Sequence, residues 1–243
     1  MSIIYAVRSI VAYLLIVLYI LVAAPVGLFL GGVLHWKRGM YAVGHFGVGM
    51  ALSLCGIRYR VAGLENVPSD TAVVFCSNHE SNVDPPVLFL ALHHQLHILY
   101  KAELRRVPVM RTVLDVGGFV AVDRRDRDQS MRSLDLGAAS LRAGNPFLIF
   151  PEGTRSRSGT LLPFKKGGFI MAIKAQVPIV PVAIAGGRNA MRKGSAFVRP
   201  VRVSVRVGRP IPTAGVTLDD RDELVEKVRT EVQALLEQGP VWT

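Results

Sequence analysis

The sequence predicts an α/β fold, a mixed β-sheet flanked by helices, with an N-terminal membrane-anchoring helical segment. The first 57 residues hold only three charged side chains, Arg8, Lys37 and Arg38. From Arg58 onward, short apolar runs bounded by turn residues alternate with longer amphipathic segments, which is the pattern of an α/β protein. We therefore divide the chain into N-terminal hydrophobic helices, residues 1–57, and one globular domain, residues 58–243.

The N-terminal part contains an uninterrupted uncharged run over residues 10–34. As a helix, this run is long enough to cross a hydrocarbon core of roughly 30 Å. It is longer than the apolar core of a signal peptide, about 7–15 residues, so we expect it to be retained. Trp36, Lys37 and Arg38 follow it, as is typical of a membrane–water boundary.

A second apolar stretch, residues 40–57, is the weaker spanning candidate. A full hairpin would export Lys37 and Arg38, so we expect one span or a monotopic insertion. The alternative is two buried core helices.

The globular part alternates predicted strands with predicted helices. Seven apolar runs have strand length and turn residues at their ends: residues 59–62, 72–76, 97–100, 119–122, 147–150, 179–184 and 201–207. Helical segments are expected between them: residues 86–94, 129–142 and 168–175. The last helix has one apolar stripe, and Thr217 with Asp220 forms a capping-box pattern at its start.

The distribution of charge restricts the kind of partner. The formal net charge is +11, and no acidic residue lies between Glu152 and Asp219, where twelve basic residues fall. Such a stretch needs an anionic partner: nucleic acid, an anionic membrane surface or a phosphorylated substrate. It carries no nucleic-acid-binding motif and no interleaved aromatic residues, so we expect no nucleic acid partner. Cys55 and Cys76 do not form a CxxC pair, which indicates neither a disulfide framework nor a zinc site.

The first candidate site follows the predicted strand 72–76. His79 and Asp84 are five residues apart, which does not place them on one face of a continuous helix. A loop that turns after His79 could return the carboxylate to the imidazole. A neutral imidazole, with a pKa near ~6.5, can take a proton from an attacking hydroxyl, and a carboxylate on its other nitrogen fixes the tautomer. Alternatively, Asp84 is the N-cap of a helix that begins at the prolines after it.

The second candidate site, residues 150–159, also follows an apolar strand. Gly153 allows close backbone approach, and the planar guanidinium of Arg155 matches phosphate oxygens. The alternative is a solvated basic turn. A third cluster, His93, His94 and His97, is expected at a solvated helix end, so we predict no metal site.

These blocks resemble the glycerophospholipid acyltransferase family, and most of all its bacterial 1-acylglycerol-3-phosphate acyltransferases. Residues 78–84 resemble the NHxSxxD block, and residues 150–156 are the FPEGTRS block without departure. Residues 118–124 resemble the family's second block, and residues 101–104 resemble the lysine-bearing segment that precedes it. Residues 177–182 resemble the proline-containing fourth block. The similarity spans roughly residues 58 to 210. One departure is Ala121, where the family often carries a bulkier residue.

The resemblance implies that residues 58–243 are a catalytic domain, which acylates the free sn-2 hydroxyl of 1-acylglycerol-3-phosphate to give phosphatidic acid. The donor would be an acyl thioester, acyl-CoA or acyl-ACP (acyl carrier protein), with no further cofactor. His79 would be the base and Asp84 its orienting partner. The resemblance assigns the acceptor phosphate to Lys101, Arg124, Glu152, Gly153, Thr154 and Arg155. Because the donors are cytoplasmic, we expect the inner (cytoplasmic) membrane, with the catalytic domain facing the cytoplasm and membrane lipids as partners.

Three alternatives remain open. A hydrolase could use Cys76, Ser77 or Ser81 as a nucleophile, although the chain has no GxSxG elbow. A non-catalytic membrane-surface protein could bind anionic lipid through its basic residues. A related acyltransferase could accept lyso-ornithine lipid or another lysophospholipid.

Overall fold

The computed structural model describes residues 2–106, 108–123, 126–156, 158–191 and 196–242. These residues form one seven-stranded mixed sheet in the order β1-β7-β6-β2-β5-β3-β4. Neighbouring strands are parallel except β6 and β7, which are antiparallel. The strands are β1 (Ile57–Ala62), β2 (Val74–Ser77), β3 (His97–Lys101), β4 (Val120–Val122), β5 (Phe147–Ile149), β6 (Ile179–Ala185) and β7 (Val201–Val207). The predicted fold class is confirmed.

Helices cover both faces of this sheet, as parallel crossover connections require. They are α1 (Ser2–Leu28), α2 (Lys37–Leu54), α3 (Asp84–Leu92), α4 (Pro108–Gly117), α5 (Arg127–Arg142), α6 (Gly167–Ala175) and α7 (Arg221–Glu237). Side chains alternate along β2, so Val74 and Cys76 face the core shared with α5, α6 and α7. Phe75 faces the opposite core, which contains residues of α2 and α3. The central strand β2 is therefore buried on both sides.

All seven predicted strands are present, with ends displaced by at most two residues. Helix α4 was not predicted. The last helix begins at Arg221, four residues after the predicted cap at Thr217. The Thr217 amide and hydroxyl both donate to Asp220 Oδ2, at 2.9 and 2.7 Å, and so form a closed turn before the helix.

The N-terminal helices differ in exposure. A single segment of the described residues, Ile3–Val33, is long and apolar enough to cross a membrane, with 31 residues and a mean hydropathy of 2.6. Only 17% of its most apolar window is buried, so the alternative of two buried core helices is wrong for α1. Helix α2 is different, because Tyr41 and Leu52 are buried and the helix packs against α3.

Both ends of the apolar segment contact the globular domain. Near its start, Arg8 donates to the Val198 carbonyl at 3.3 Å, and the Tyr13 hydroxyl donates to the Ala196 carbonyl at 2.6 Å. Near its end, a π-helical turn (Phe29–Val33) continues α1. There a Cβ added to Gly31 would lie 3.1 Å from Val116 of α4. The segment therefore runs along the domain instead of leaving it.

The histidine cluster divides in two. His93 and His94 are exposed as expected, but the prediction is wrong for His97, which is 2% exposed. The turn after α3 carries the chain into the sheet, so His97 begins β3 beneath the neighbouring helices. Its ring lies 5.2 Å from Phe147 and 6.2 Å from Tyr41, centroid to centroid. This burial lowers the pKa of His97 to about 4.

The buried imidazole predicts a loss of stability in acid. The unfolded imidazole binds a proton near pH ~6.5, and the folded one only near pH 4, so protonation between these values favours unfolding. We expect His97 to account for a fall of about 3 kcal/mol in the free energy of unfolding from pH ~6.5 to ~4. Chemical denaturation across this range should show a shallower pH slope for His97→Gln. The exposed control His94→Gln should keep the wild-type slope; equal slopes for all three proteins would contradict the prediction.

Candidate active site

The loop after β2 brings the predicted pair together. His79 Nδ1 lies 2.8 Å from Asp84 Oδ2. The same oxygen accepts the backbone N–H groups of Glu80 and Ser81, each at 2.7 Å, and the Asp84 side chain is fully buried. Asp84 is the first residue of α3, whose N-cap is Val83. The N-cap alternative is therefore wrong, because the carboxylate bonds donors that precede the helix.

The carboxylate determines what the imidazole can do. An ionised Asp84 can only accept hydrogen bonds, so His79 Nδ1 must carry the proton between them. The neutral ring then has Nε2 free to take a proton, the arrangement of a general base. The His79 ring stacks on Phe150, with centroids 4.3 Å apart, and 17% of its side chain is exposed. The imidazole is therefore held in place and remains accessible.

The loop after β5 holds the backbone of His79. Glu152 Oε1 accepts the His79 N–H at 2.7 Å, and Oε2 accepts the Leu162 N–H at 3.0 Å. The Ser156 N–H donates to the His79 carbonyl at 2.8 Å. Glu152 is 3% exposed, and this burial raises the pKa of its carboxyl group. Since β5 pairs with β2 in parallel, both loops leave the same edge of the sheet and meet there.

The end of β6 supplies the third side of the site. The Asn78 amide donates to the Ile184 carbonyl and accepts the Ile184 N–H, both at 2.8 Å. In the turn after β6, a Cβ added to Gly187 would lie 2.8 Å from Asp84 Oδ1. Neither Asn78 nor Gly187 was among the predicted site residues. The position of Asn78 directly before His79 was the available signal, whereas nothing local to Gly187 indicated its role.

The described residues among those assigned to the acceptor phosphate are distributed along this edge. Gly153, at a positive φ of 70°, and Thr154 form the turn after β5, and the half-buried Arg155 follows them. Lys101 ends β3 one strand further away, is exposed, and pairs with Glu103 at 3.0 Å. Arg124 lies outside the described residues.

None of the three alternative nucleophiles forms a hydrogen bond with the His79 imidazole in the described residues. Cys76 is fully buried, and this burial raises the pKa of its thiol well above its usual range. The Ser77 hydroxyl donates to the Asn78 carbonyl at 3.0 Å. The Ser81 hydroxyl accepts the Val83 N–H at 3.4 Å. The site therefore has the geometry of a base that activates an incoming hydroxyl.

Known proteins share this sequence and fold. The Acyltransferase family matches residues 58–185. A 1-acyl-sn-glycerol-3-phosphate acyltransferase of Borreliella burgdorferi is 31% identical over 188 residues, 77% of this chain and 75% of that protein. The alpha enzyme of that name in Mus musculus is 33% identical over 178 residues, 72% of this chain and 62% of its own length. The chain thus spans less than two thirds of the mouse protein.

A solved structure extends the similarity to the N-terminal helices. It is the 1-acyl-sn-glycerophosphate (LPA) acyltransferase PlsC from Thermotoga maritima, with a TM-score of 0.83 and 25% sequence identity. The superposition covers 100% of this chain and 99% of that one. The N-terminal helices and the sheet therefore recur together in a second protein.

The contacts of Glu152 predict that a neutral substitute destabilises the fold. In Glu152→Gln, one backbone N–H would face an amide NH₂ in place of an oxygen, and an unpaired buried donor costs about 1–3 kcal/mol. For a chain of this size we expect the melting temperature to fall by roughly 2–10 °C. Thermal unfolding in detergent measures the change, with the exposed Glu231→Gln on α7 as the matched control. Equal melting temperatures for the two variants would refute the proposed support of the loop.

Proposed function

Because this chain belongs to the acyltransferase family, we propose that it transfers a fatty acyl group from acyl-CoA or acyl-ACP to the free sn-2 hydroxyl of 1-acylglycerol-3-phosphate, giving phosphatidic acid. The observation that best supports this proposal is the hydrogen bond of 2.8 Å between His79 Nδ1 and Asp84 Oδ2. It creates a base at the edge of the sheet, and no described side-chain nucleophile forms a hydrogen bond with its imidazole. The relatives named above, each called an acylglycerophosphate acyltransferase, support the choice of acceptor.

The chemistry is a direct attack. His79 Nε2 takes the proton of the acceptor hydroxyl as its oxygen bonds to the thioester carbonyl carbon. The tetrahedral intermediate then breaks its carbon–sulfur bond, and the imidazolium returns the proton to the departing thiolate. Asp84 stabilises the imidazolium between these two steps. Holding the acceptor beside His79 makes the attack effectively intramolecular, which can remove about 7–11 kcal/mol of barrier at the limit.

The turn after β5 is the proposed grip on the acceptor phosphate. Arg155 supplies a guanidinium, and Gly153 and Thr154 bring the backbone close to it. Both oxygens of Glu152 already accept backbone N–H groups, so we assign this residue to the support of the turn. Lys101 and Arg124 complete the proposed set, and the reaction needs no cofactor beyond its thioester co-substrate.

The membrane is the proposed source of the acceptor. Most of α1 is exposed and apolar, and contiguous apolar surface of this extent is covered by lipid or a partner in stable proteins. Contacts with the domain at both ends of the segment favour a monotopic insertion over a full crossing. Because thioester donors are cytoplasmic, the proposed location is the cytoplasmic face of the inner membrane.

The proposed role of His79 predicts opposite effects on activity for substitutions of His79 and of Cys76. His79→Ala should lower kcat by about 100- to 10,000-fold, the usual contribution of a general base. Cys76→Ala should retain activity, because the thiol lies in the core. The assay follows phosphatidic acid formation by each purified protein in detergent, with acyl-CoA and with acyl-ACP. Activity that is lost with Cys76 would favour the covalent alternative, and activity that survives His79→Ala would favour a non-catalytic lipid-binding protein.

The proposed role of Arg155 predicts that its substitution weakens binding of the phosphate-bearing acceptor. Arg155→Gln should raise KM for 1-acylglycerol-3-phosphate by about 10- to 100-fold, because a charged hydrogen bond to the phosphate is lost. The panel also contains lyso-ornithine lipid and lysophosphatidylcholine, which lack a phosphate monoester. If wild-type protein prefers one of these, the proposed acceptor is wrong while the acyl-transfer chemistry stands. Arg132→Gln on α5 is the matched control.

A further inference from the structure

A basic pocket lies apart from the catalytic loops. It is an open surface pocket of about 590 Å³ between the short helical turn after β3, Ala102–Arg106, and helix α4. The residues that line it are Arg105, Arg106, Arg111, Thr112, Asp115 and Val116. The ion pair between Arg105 and Asp115 joins the two elements of the pocket and involves neither of the loops that hold His79. The pocket therefore calls for an explanation of its own.

The lining of the pocket is positively charged. Three arginines face one carboxylate, that of Asp115, which leaves two positive charges. Asp115 Oδ2 lies 2.7 Å from Arg105 Nη2 and 3.7 Å from Arg111 Nε. One carboxylate thus orients two guanidinium groups, while Arg106 is exposed. Planar guanidinium groups in such an arrangement match the oxygens of a phosphate group.

The position of the pocket connects it to the membrane anchor. Val116, which lines the pocket, contacts the turn that continues α1: a Cβ added to Gly31 or Gly32 would lie 3.1 or 4.0 Å from it. The same end of the anchor leads to the exposed Trp36, followed by Lys37 and Arg38. Leu104 and Met110, on the two elements that form the pocket, are 46% and 44% exposed. The pocket therefore lies near the surface of the membrane into which α1 inserts.

We propose that this pocket binds the phosphate of an anionic membrane phospholipid. The guanidinium groups hold the headgroup phosphate, and the exposed apolar side chains beside them contact the upper part of the acyl chains. The bound lipid is structural and is not the acceptor, whose phosphate is assigned to the turn after β5 together with Lys101 and Arg124. It fixes the end of α1 against α4, so the anchor and the domain keep one orientation at the membrane surface. The proposal is independent of the acyl-transfer reaction.

The test measures binding of dioctanoyl-phosphatidylglycerol and dioctanoyl-phosphatidylcholine to the full chain in detergent, by native mass spectrometry. An arginine close to an anionic lipid surface contributes about fivefold to affinity. We expect the anionic lipid to bind preferentially, and the triple variant Arg105→Gln, Arg106→Gln, Arg111→Gln to lose about 100-fold in its affinity. Because removing the partners of Asp115 could also disturb folding, Arg106→Gln alone serves as a second variant, with an expected loss of about fivefold.

Two control variants separate this site from general attraction and from the acceptor site. Removal of two exposed charges from the other face of the sheet, Arg132→Gln with Lys227→Gln, should leave the lipid preference unchanged. Arg155→Gln should also leave it unchanged. Full retention of the preference in Arg106→Gln would overturn the proposal, and so would its loss in either control. Displacement of the lipid by an equal concentration of inorganic phosphate would identify a free-phosphate site instead and reject the lipid.

Discussion

The burial of the Asp84 carboxylate is the constraint on which the site depends. An ionised carboxylate removed from water is costly unless hydrogen bonds replace its hydration. Here one oxygen accepts two backbone N–H groups and the His79 imidazole. Its place in the first turn of α3 adds the favourable field of a helix N-terminus. The loop must therefore fold back over Asp84, and this path brings the imidazole to the edge of the sheet.

The parallel strands around β2 make this arrangement rigid. Strands β6, β2 and β5 run in one direction, so their following loops converge at one edge, the usual location of sites in α/β folds. Glu152 holds the His79 backbone from the β5 side, and Asn78 bonds to β6 from the other. The His79 imidazole is thus positioned by contacts with a buried sheet. Such a support moves less than surface side chains do, so it would keep the proposed proton acceptor aligned.

Periodic features of the chain were predictable from the sequence, and features that arise from distant contacts were not. Apolar runs between turn residues indicated every strand, and the approach of Asp84 to His79 followed from a loop after one of them. Helix α4 is no shorter than the predicted helices α3 and α6. It was missed because its burial depends on contacts with α1 and α2, which are distant in the sequence. The burial of His97 depends on the helices that cover β3, which no local pattern reveals. Likewise, Gly187 matters because of Asp84, about a hundred positions earlier in the chain.

The close approach of Gly187 to Asp84 limits how the protein can be redesigned. A Cβ at position 187 would come within 2.8 Å of Asp84 Oδ1, 3.1 Å of Val83 and 3.2 Å of Ser81, so even alanine would press on the whole loop. Libraries that aim to change acceptor choice should therefore keep this position constant. Diversity is better placed in the turn after β5 beyond Gly153, where Thr154 is exposed. A turn after β6 grafted from a homologous enzyme would fit only if it also had a glycine at the position that passes Asp84.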